Sequence, residues 1–272
     1  MGAQGNGNQV LSGEHSIERL LASDFDETMA VTSEPAPNGM TVALAYEHAV
    51  QKVLGYNALE IYRTQGGLLN RSPVEVTAQL LPVTADDITV QQRSEDLVEA
   101  KLEVLSSQVG ELLPDGGRWP RPVAGFVNTW NAVSEQPNIT TGVTSSGHQP
   151  LIERFCDVQE VARPDIMVTD DDMRPLLTHL PTELCVKPGR LIIDLLQHRW
   201  LKHLELPVSH ETLTFSRNYI VGVGDDGHYK DSRLADNAGI EFVKIDPEDP
   251  VPGWQAVGKL LVPHLYEEVA SA

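Results

Sequence analysis

Cysteine is scarce in this chain: two in 272 residues, Cys156 and Cys185, with no close spacing between them. They make neither a disulfide framework nor a zinc pattern, so a reducing cytoplasm is the expected setting. Cations are also few, with Lys+Arg at 20 against Asp+Glu at 39 and a formal net charge of −19. A surface that acidic repels phosphate backbones and anionic lipid, which excludes nucleic acid and membrane as main partners. No apolar run approaches the length of a membrane span. The polar, glycine-rich opening from Met1 to Asn8 lacks the charged start and apolar run of a signal peptide and reads as a frayed tail. A soluble intracellular protein is expected. Hydrophobic residues at 41% and charged residues at 22% are ordinary for a globular chain. The length suits one large domain, or a core with a smaller second domain. The acidity sets a condition on any site for phosphate esters. Such a site must gather its cations locally and calls for a divalent metal.

The first apolar segment, Ile17 to Ala22, is short and gives way at once to Ser23-Asp24-Phe25-Asp26-Glu27-Thr28. That suits a buried strand whose carboxyl end opens onto a loop, the place where open α/β sheets bind ligands. After a Pro/Gly-bearing loop, Ser33 to Gly39, the pattern turns helical. Apolar residues recur near the helical period from Thr41 to Leu54, and Gln92 to Gly110 sets Val98, Leu102, Leu105 and Val109 on one face. Ser72-Pro73-Val74-Glu75 is a capping box with proline at the first helical position, predicting a helix through Leu81. With no comparable strand signal between Thr41 and Gly110, this is a helical block, expected as an inserted domain over residues 33–119. Pro114-Asp115-Gly116-Gly117 and Trp119-Pro120-Arg121-Pro122 mark its exit.

Strands and helices alternate beyond it. Strands are predicted at Ile139 to Thr144, Ile166 to Thr169, Tyr219 to Val223 and Ile240 to Ile245. Helices are predicted from near Pro150, from Pro188 to about His203, and from Gly253 to Ala270. This rhythm indicates an α/β fold: a Rossmann-like parallel sheet with helices on both faces, built from residues 1–32 and 120–272.

Three of the strands end in polar side chains: Asp24 and Asp26, then Ser145, then Asp225 and Asp226. Lys187 stands before Pro188 at a helix start. In a parallel sheet these ends face one way and converge on one pocket. Clustered carboxylates repel unless a cation sits among them, and an oxygen-rich site of this kind suits Mg²⁺. A hydroxyl, an ammonium and a metal facing one point would stabilise a transferring phosphoryl group. A carboxylate beside them could attack phosphorus, with its i+2 neighbour as acid and base.

Asp24-Phe25-Asp26-Glu27-Thr28 resembles the Asp-x-Asp-x-Thr signature of the haloacid dehalogenase-like superfamily. Ile139 to Ser146 resembles its second motif and Lys187-Pro188 its third. Gly224-Asp225-Asp226 with Asp231, followed by Asn237-Ala238-Gly239, resembles its fourth. Each motif alone is weak; the ordered set is strong. The resemblance implies a Rossmann-like core with a C1-type helical cap between the first two motifs. It implies Asp24 as aspartyl-phosphate nucleophile, Asp26 as acid/base, and Lys187 offsetting charge on Asp24 and the phosphoryl group. Thr28, Ser145, Ser146 and Gly147 would line the phosphoryl site, and Ser145 would hold one of its oxygens. Mg²⁺ would be held by the Asp24 carboxylate, the Asp26 carbonyl and an acid among Asp225, Asp226 and Asp231. Between Asp225 and Asp226 the spacing allows either, with Asp225 favoured as the first carboxylate after the strand; Thr144 could take the place of Ser145. Dehalogenases of the superfamily lack the second aspartate, so Asp26 points to phosphoryl transfer.

The expected activity is therefore hydrolysis of a small phosphorylated metabolite. A sugar phosphomutase of the same superfamily and a non-catalytic binding module are the alternatives. Several nearby residues carry plainer expectations. Asp170-Asp171-Asp172 is expected to cap a helix and face solvent, with a metal role as the alternative; His148, after the serine-glycine loop, is expected to be a surface residue at a helix start, with contact to a leaving group as the alternative. Arg63 and Arg71 are candidate substrate cations in the helical block.

Overall fold

The computed structural model describes residues 18–68 and 72–264. The expected Ile17 start, the Met1–Asn8 tail, Arg71 and the helix beyond His264 lie outside the described residues. Among the described residues, no helix is long and apolar enough to cross a membrane.

Five parallel strands form the central sheet: β1 (Arg19–Ser23), β4 (Ile139–Thr144), β5 (Ile166–Val168), β6 (Ile220–Gly224) and β7 (Glu241–Lys244), in the order β5-β4-β1-β6-β7. A two-residue ribbon pairs β2 (Ala30–Val31) with β3 (Arg121–Pro122) antiparallel. The first strand is central, flanked in register by β4 through Leu21 opposite Thr141 and by β6 through Leu21 opposite Val221. The chain winds outward from β1 through β4 to β5. It then returns across the sheet to β6, so the winding reverses beside β1. The carboxyl ends of strands at such a reversal leave a crevice between diverging loops.

Alternation along β1 divides two cores. Leu21 joins Val143 and Val221 against α5 (Phe126–Ser134), α6 (Gln149–Gln159) and α12 (Pro250–Leu261), a layer filled by Phe126, Trp130, Phe155 and Trp254. Leu20 and Ala22 point the other way. They pack under α9 (Leu191–His203) and α11 (Lys230–Ala238), with Leu196 and Trp200 at the centre. Helices on both faces are thus confirmed. The indole of Trp254 donates to the Thr28 carbonyl at 3.2 Å, fastening the C-terminal helix beneath the loop that carries Asp24 and Asp26.

Among the described residues, four α-helices lie between β2 and β3: α1 (Val42–Leu54), α2 (Tyr56–Thr64), α3 (Pro73–Leu80) and α4 (Asp87–Ser106). They share a core of Ala49, Val50, Leu59, Tyr62, Val76 and Leu97. Thr41 caps α1 by accepting from the Leu44 amide, and Ser72 and Glu75 form both halves of the expected capping box. Helix α4 begins five residues before the expected Gln92, because the Asp86 side chain accepts from the Thr89 amide and starts the helix there. At its far end Leu105 and Val109 join Ala36, Leu113 and Trp119, and Leu151 and Val158 of α6 pack against that cluster. The helical block therefore rests on the helix that follows β4.

Three short helical stretches fill the segment before Lys187: α7 (Asp170–Met173), a 3-10 turn over Arg174–Thr178, and α8 (Thr182–Cys185). A further helix, α10 (His210–Ser216), precedes β6.

Candidate active site

The Asp24 amide donates to the Val223 carbonyl at 2.7 Å, continuing the β1–β6 pairing by one residue and holding the side chain at the sheet's carboxyl edge. Phe25 turns into the core, where its ring meets Phe155 edge-on at 5.3 Å, and Asp26 returns to the surface side. Glu27 follows in the left-handed region at φ 56°. Its carboxylate accepts from the amides of Thr32 and Ser33 at 2.8 and 2.7 Å, closing the loop behind the two aspartates.

Lys187 reaches this edge from the loop after α8. Its ammonium donates to Asp24 Oδ1 at 2.5 Å and to Asp231 Oδ1 at 2.8 Å, and its side chain is 8% exposed. Asp231 is brought in by the first turn of α11. Gly224, the last residue of β6, makes room for it, since a Cβ there would stand 2.5 Å from the Asp231 carboxyl group. One oxygen from each of Asp24, Asp225 and Asp231 lies within 4.8 Å of the others. Three carboxylates thus face a single ammonium, a charge imbalance that a divalent cation would correct, and an all-oxygen donor set fits a hard cation.

The electrostatics follow from that crowding. Burial pushes Asp24 up to about 7, with Lys187 pulling against it and Asp231 and Asp26 adding to the rise. Burial also raises Asp225 above the ordinary carboxylate range. Burial alone would lower Lys187, but the charges of Asp24 and Asp231 outweigh it and hold the ammonium above the ordinary lysine range. Protons would compete with any cation for Asp24 as the pH falls through about 7.

The structure separates Asp225 from Asp226. Asp226 sits in the left-handed region at φ 61°, and its carboxylate accepts from the Ser232 amide at 2.9 Å, at the start of α11. It lies outside the three-acid cluster of Asp24, Asp225 and Asp231. Thr28, expected to line the phosphoryl site, is wholly buried beneath the loop, and its hydroxyl has no partner among the described residues.

Ser145 is placed by β4. Its amide donates to the Val168 carbonyl at 3.1 Å, and its buried hydroxyl accepts from the Gly147 amide at 2.8 Å. A Cβ on Gly147 would stand 3.1 Å from Ser145 Oγ and 3.9 Å from Asp26 Oδ2, so this turn is where the second motif and Asp26 approach each other. Thr144 ends the strand, buried. Ser146 is exposed and, with Gly147 and Asp26, lines a cavity of about 140 Å³.

That cavity also holds His148 and Lys101, of which the sequence singles out only His148. His148 is 1% exposed, not on the surface, although it does stand at the start of α6. Its Nδ1 faces Asp171 Oδ1 at 3.1 Å, and its Nε2 lies 3.5 Å from Lys101 Nζ of α4. The Asp170–Asp172 run caps a helix as expected, with the Asp172 carboxylate accepting from the Thr169 amide at 3.0 Å, but does not simply face solvent. Asp170 is buried against Arg174 at 2.7 Å, and Asp172 pairs with Arg199 at 2.5 Å. Arg63 is exposed and pairs with Glu47 at 2.7 Å, away from these groups. The cation that the helical block brings to the cavity is Lys101.

Fold and site together define a doubly wound α/β protein with three carboxylates and a lysine gathered at the ends of its central strands, and a buried serine at the end of the neighbouring one. No family model matches the chain, and no curated protein matches it. Among solved structures it is similar to CbbY from Rhodobacter sphaeroides in complex with phosphate, at 17% identity over 84% of this chain and 86% of that one, with a TM-score of 0.48. It is also similar to a putative phosphoglycolate phosphatase from Lactobacillus delbrueckii subsp. bulgaricus, at 12% identity, 89% and 91% coverage and a TM-score of 0.46. A putative beta-phosphoglucomutase from Thermotoga maritima is similar at 17% identity, 88% and 99% coverage and a TM-score of 0.41. Likenesses this distant carry no assignment of activity, which rests on the site itself.

Proposed function

We propose that this chain is a Mg²⁺-dependent phosphatase of the haloacid dehalogenase-like superfamily that hydrolyses a small phosphomonoester through an aspartyl-phosphate intermediate. The observation that carries the reading is the grouping of Asp24, Asp225 and Asp231 around Lys187, with Asp26 two residues beyond Asp24. Residues 1–32 and 120–272 form the catalytic core in this reading, and the helical block over 33–119 is its cap. The two cysteines, both buried and free, suit a reducing cytoplasm.

Asp24, Asp225 and Asp231 would hold the cation. When bound, it offsets their charge and that of the phosphoryl oxygens. Lys187 holds Asp24 Oδ1 and leaves its other oxygen to attack phosphorus. The bond from phosphorus to the leaving oxygen breaks as the bond to Asp24 forms, and the Asp26 carboxyl group donates its proton to the leaving oxygen. Asp26, now ionised, accepts a proton from the water that attacks the aspartyl phosphate. Inorganic phosphate leaves and the Asp24 carboxylate is restored. Ser145 and the Gly147 turn support the phosphoryl oxygens throughout.

The test is release of phosphate from an aryl phosphate and from a panel of small phosphorylated metabolites. Release that requires Mg²⁺ and stops in excess chelator is the expected result. Release that continues unchanged in chelator would remove the metal from the account. No release from any compound, with Mg²⁺ binding demonstrated, would favour a binding module.

A further inference from the structure

The cavity beside Asp26 has a composition that the chemistry at Asp24 does not explain. Its lining combines apolar Val42, Leu105 and Trp119 with polar Asp26, Ser146, His148 and Lys101. Lys101 comes from the helical block and His148 from the core, so the cavity lies where the two meet. Its position next to the residue assigned to the leaving oxygen makes it the place for the leaving group. At about 140 Å³ it is well under the roughly 300 Å³ at which drug-sized sites begin. It suits a leaving group of a few carbons.

The polar lining is fixed in orientation. The Asp171 carboxylate faces His148 Nδ1 and draws the imidazole proton there, which leaves Nε2 as an acceptor toward Lys101. Burial favours neutral His148 and pulls it below the ordinary histidine range, against Asp171. Asp171 also accepts from the Gln149 amide at 3.0 Å and pairs with Arg174 at 3.2 Å. Asp170 is held by Arg174. Among the described residues no carboxylate stands within ion-pair distance of Lys101. Its other contact is the Tyr46 ring, 5.6 Å from the ammonium. Histidine accepts one of its three N–H groups, and the remaining donors belong to a partly desolvated ammonium lining a partly apolar cavity. Such a cation gains most from an anionic oxygen, because a charge-assisted hydrogen bond in that setting is the strongest available.

We propose that Lys101 is the specificity-determining cation of this site, held in place by His148 and Asp171, and that it selects short phosphorylated carboxylic acids. The inference rests on the phosphatase reading for the position of the phosphoryl group. The substrate's carboxylate pairs with Lys101, its short carbon chain lies along Trp119 and Leu105, and its ester oxygen meets Asp26.

Calorimetric binding to the full Asp24→Asn chain with Mg²⁺ tests this, using O-phosphoryl-3-hydroxypropanoate and its amide, O-phosphoryl-3-hydroxypropanamide, as matched probes. The acid is expected to bind tighter than the amide by about 10- to 100-fold, the range of one charge-assisted hydrogen bond. Adding Lys101→Met should bring the two probes to within about threefold, while Lys101→Arg keeps the preference. If the methionine chain does not fold, Lys101→Gln carries the same expectation. Equal binding of acid and amide, binding of neither, or a preference that survives loss of the charge overturns the proposal. Aryl phosphate hydrolysis by the unmodified chain is the separate check on the phosphatase reading, so either can fail while the other stands.

Discussion

Asp24→Asn is expected to lower phosphate release by about 10⁴-fold or more, the scale seen when an enzyme loses a covalent nucleophile. The amide oxygen cannot attack phosphorus, and one of the three acids around the cation is lost as well. The change is close to isosteric and should spare the fold, because the Asp24 amide still donates its hydrogen bond to the Val223 carbonyl and stays in the sheet. It also removes a buried carboxylate whose ionisation is costly: with the folded value raised to about 7, Asp24 binds a proton more tightly in the folded chain than in the unfolded one. Its contribution to stability is therefore lost as pH rises from the ordinary carboxylate range through about 7. In chelator at neutral pH the asparagine chain should melt at or above the temperature of the unmodified protein while being inactive. Near-normal turnover in this variant would remove Asp24 as nucleophile.

Lys187→Met is expected to have the largest effect on stability. Its ammonium is the one cation placed between Asp24 and Asp231 among the described residues, and both pairs are nearly buried. Breaking a buried pair by removing one partner costs about 3–5 kcal/mol, because the charge left behind has neither water nor counter-ion. The loss should be greatest at high pH and smaller near pH 5, where Asp24, raised by burial, takes up a proton. Mg²⁺ should restore more stability to this variant than it adds to the unmodified protein, since it supplies the missing positive charge. Urea unfolding in chelator and in Mg²⁺ measures both effects. Equal stability of the two chains in chelator at pH 8 would show that Lys187 does not offset the three acids.

The elements legible in the sequence are those whose causes are local. The Ser72–Glu75 capping box announces α3 because both hydrogen bonds span three residues. Strand β4 is legible because it is buried along its whole length, so Ile139 to Thr144 stands out as β-rich between polar ends. Helix α2 is harder to see: Gly55 separates it from α1, and its nine residues have little overall hydrophobicity. The β2–β3 ribbon joins residues about 90 positions apart for two residues each, and no local pattern encodes that pairing.

The site divides the same way. Asp24, Asp26, Ser145 and Asp225 follow strand ends, so the period of the strands exposes them. The preference for Asp225 over Asp226 is a matter of one backbone angle, the positive φ that turns Asp226 toward Ser232. Lys101 and His148 lie 47 residues apart on a helix of the block and a helix of the core. Nothing in their spacing marks them as neighbours. A lysine four residues before Leu105 on the buried side of a long helix is a faint signal, and only packing gives it meaning.

The central claim is that a phosphoryl group passes through Asp24. Acid-quenching the enzyme during turnover of an aryl phosphate, and weighing the peptide that contains Asp24, tests it most directly. A fraction of that peptide heavier by one phosphoryl group is expected, formed only with Mg²⁺ and absent from the Asp24→Asn chain. Sustained phosphate release with the added mass on another peptide would contradict it.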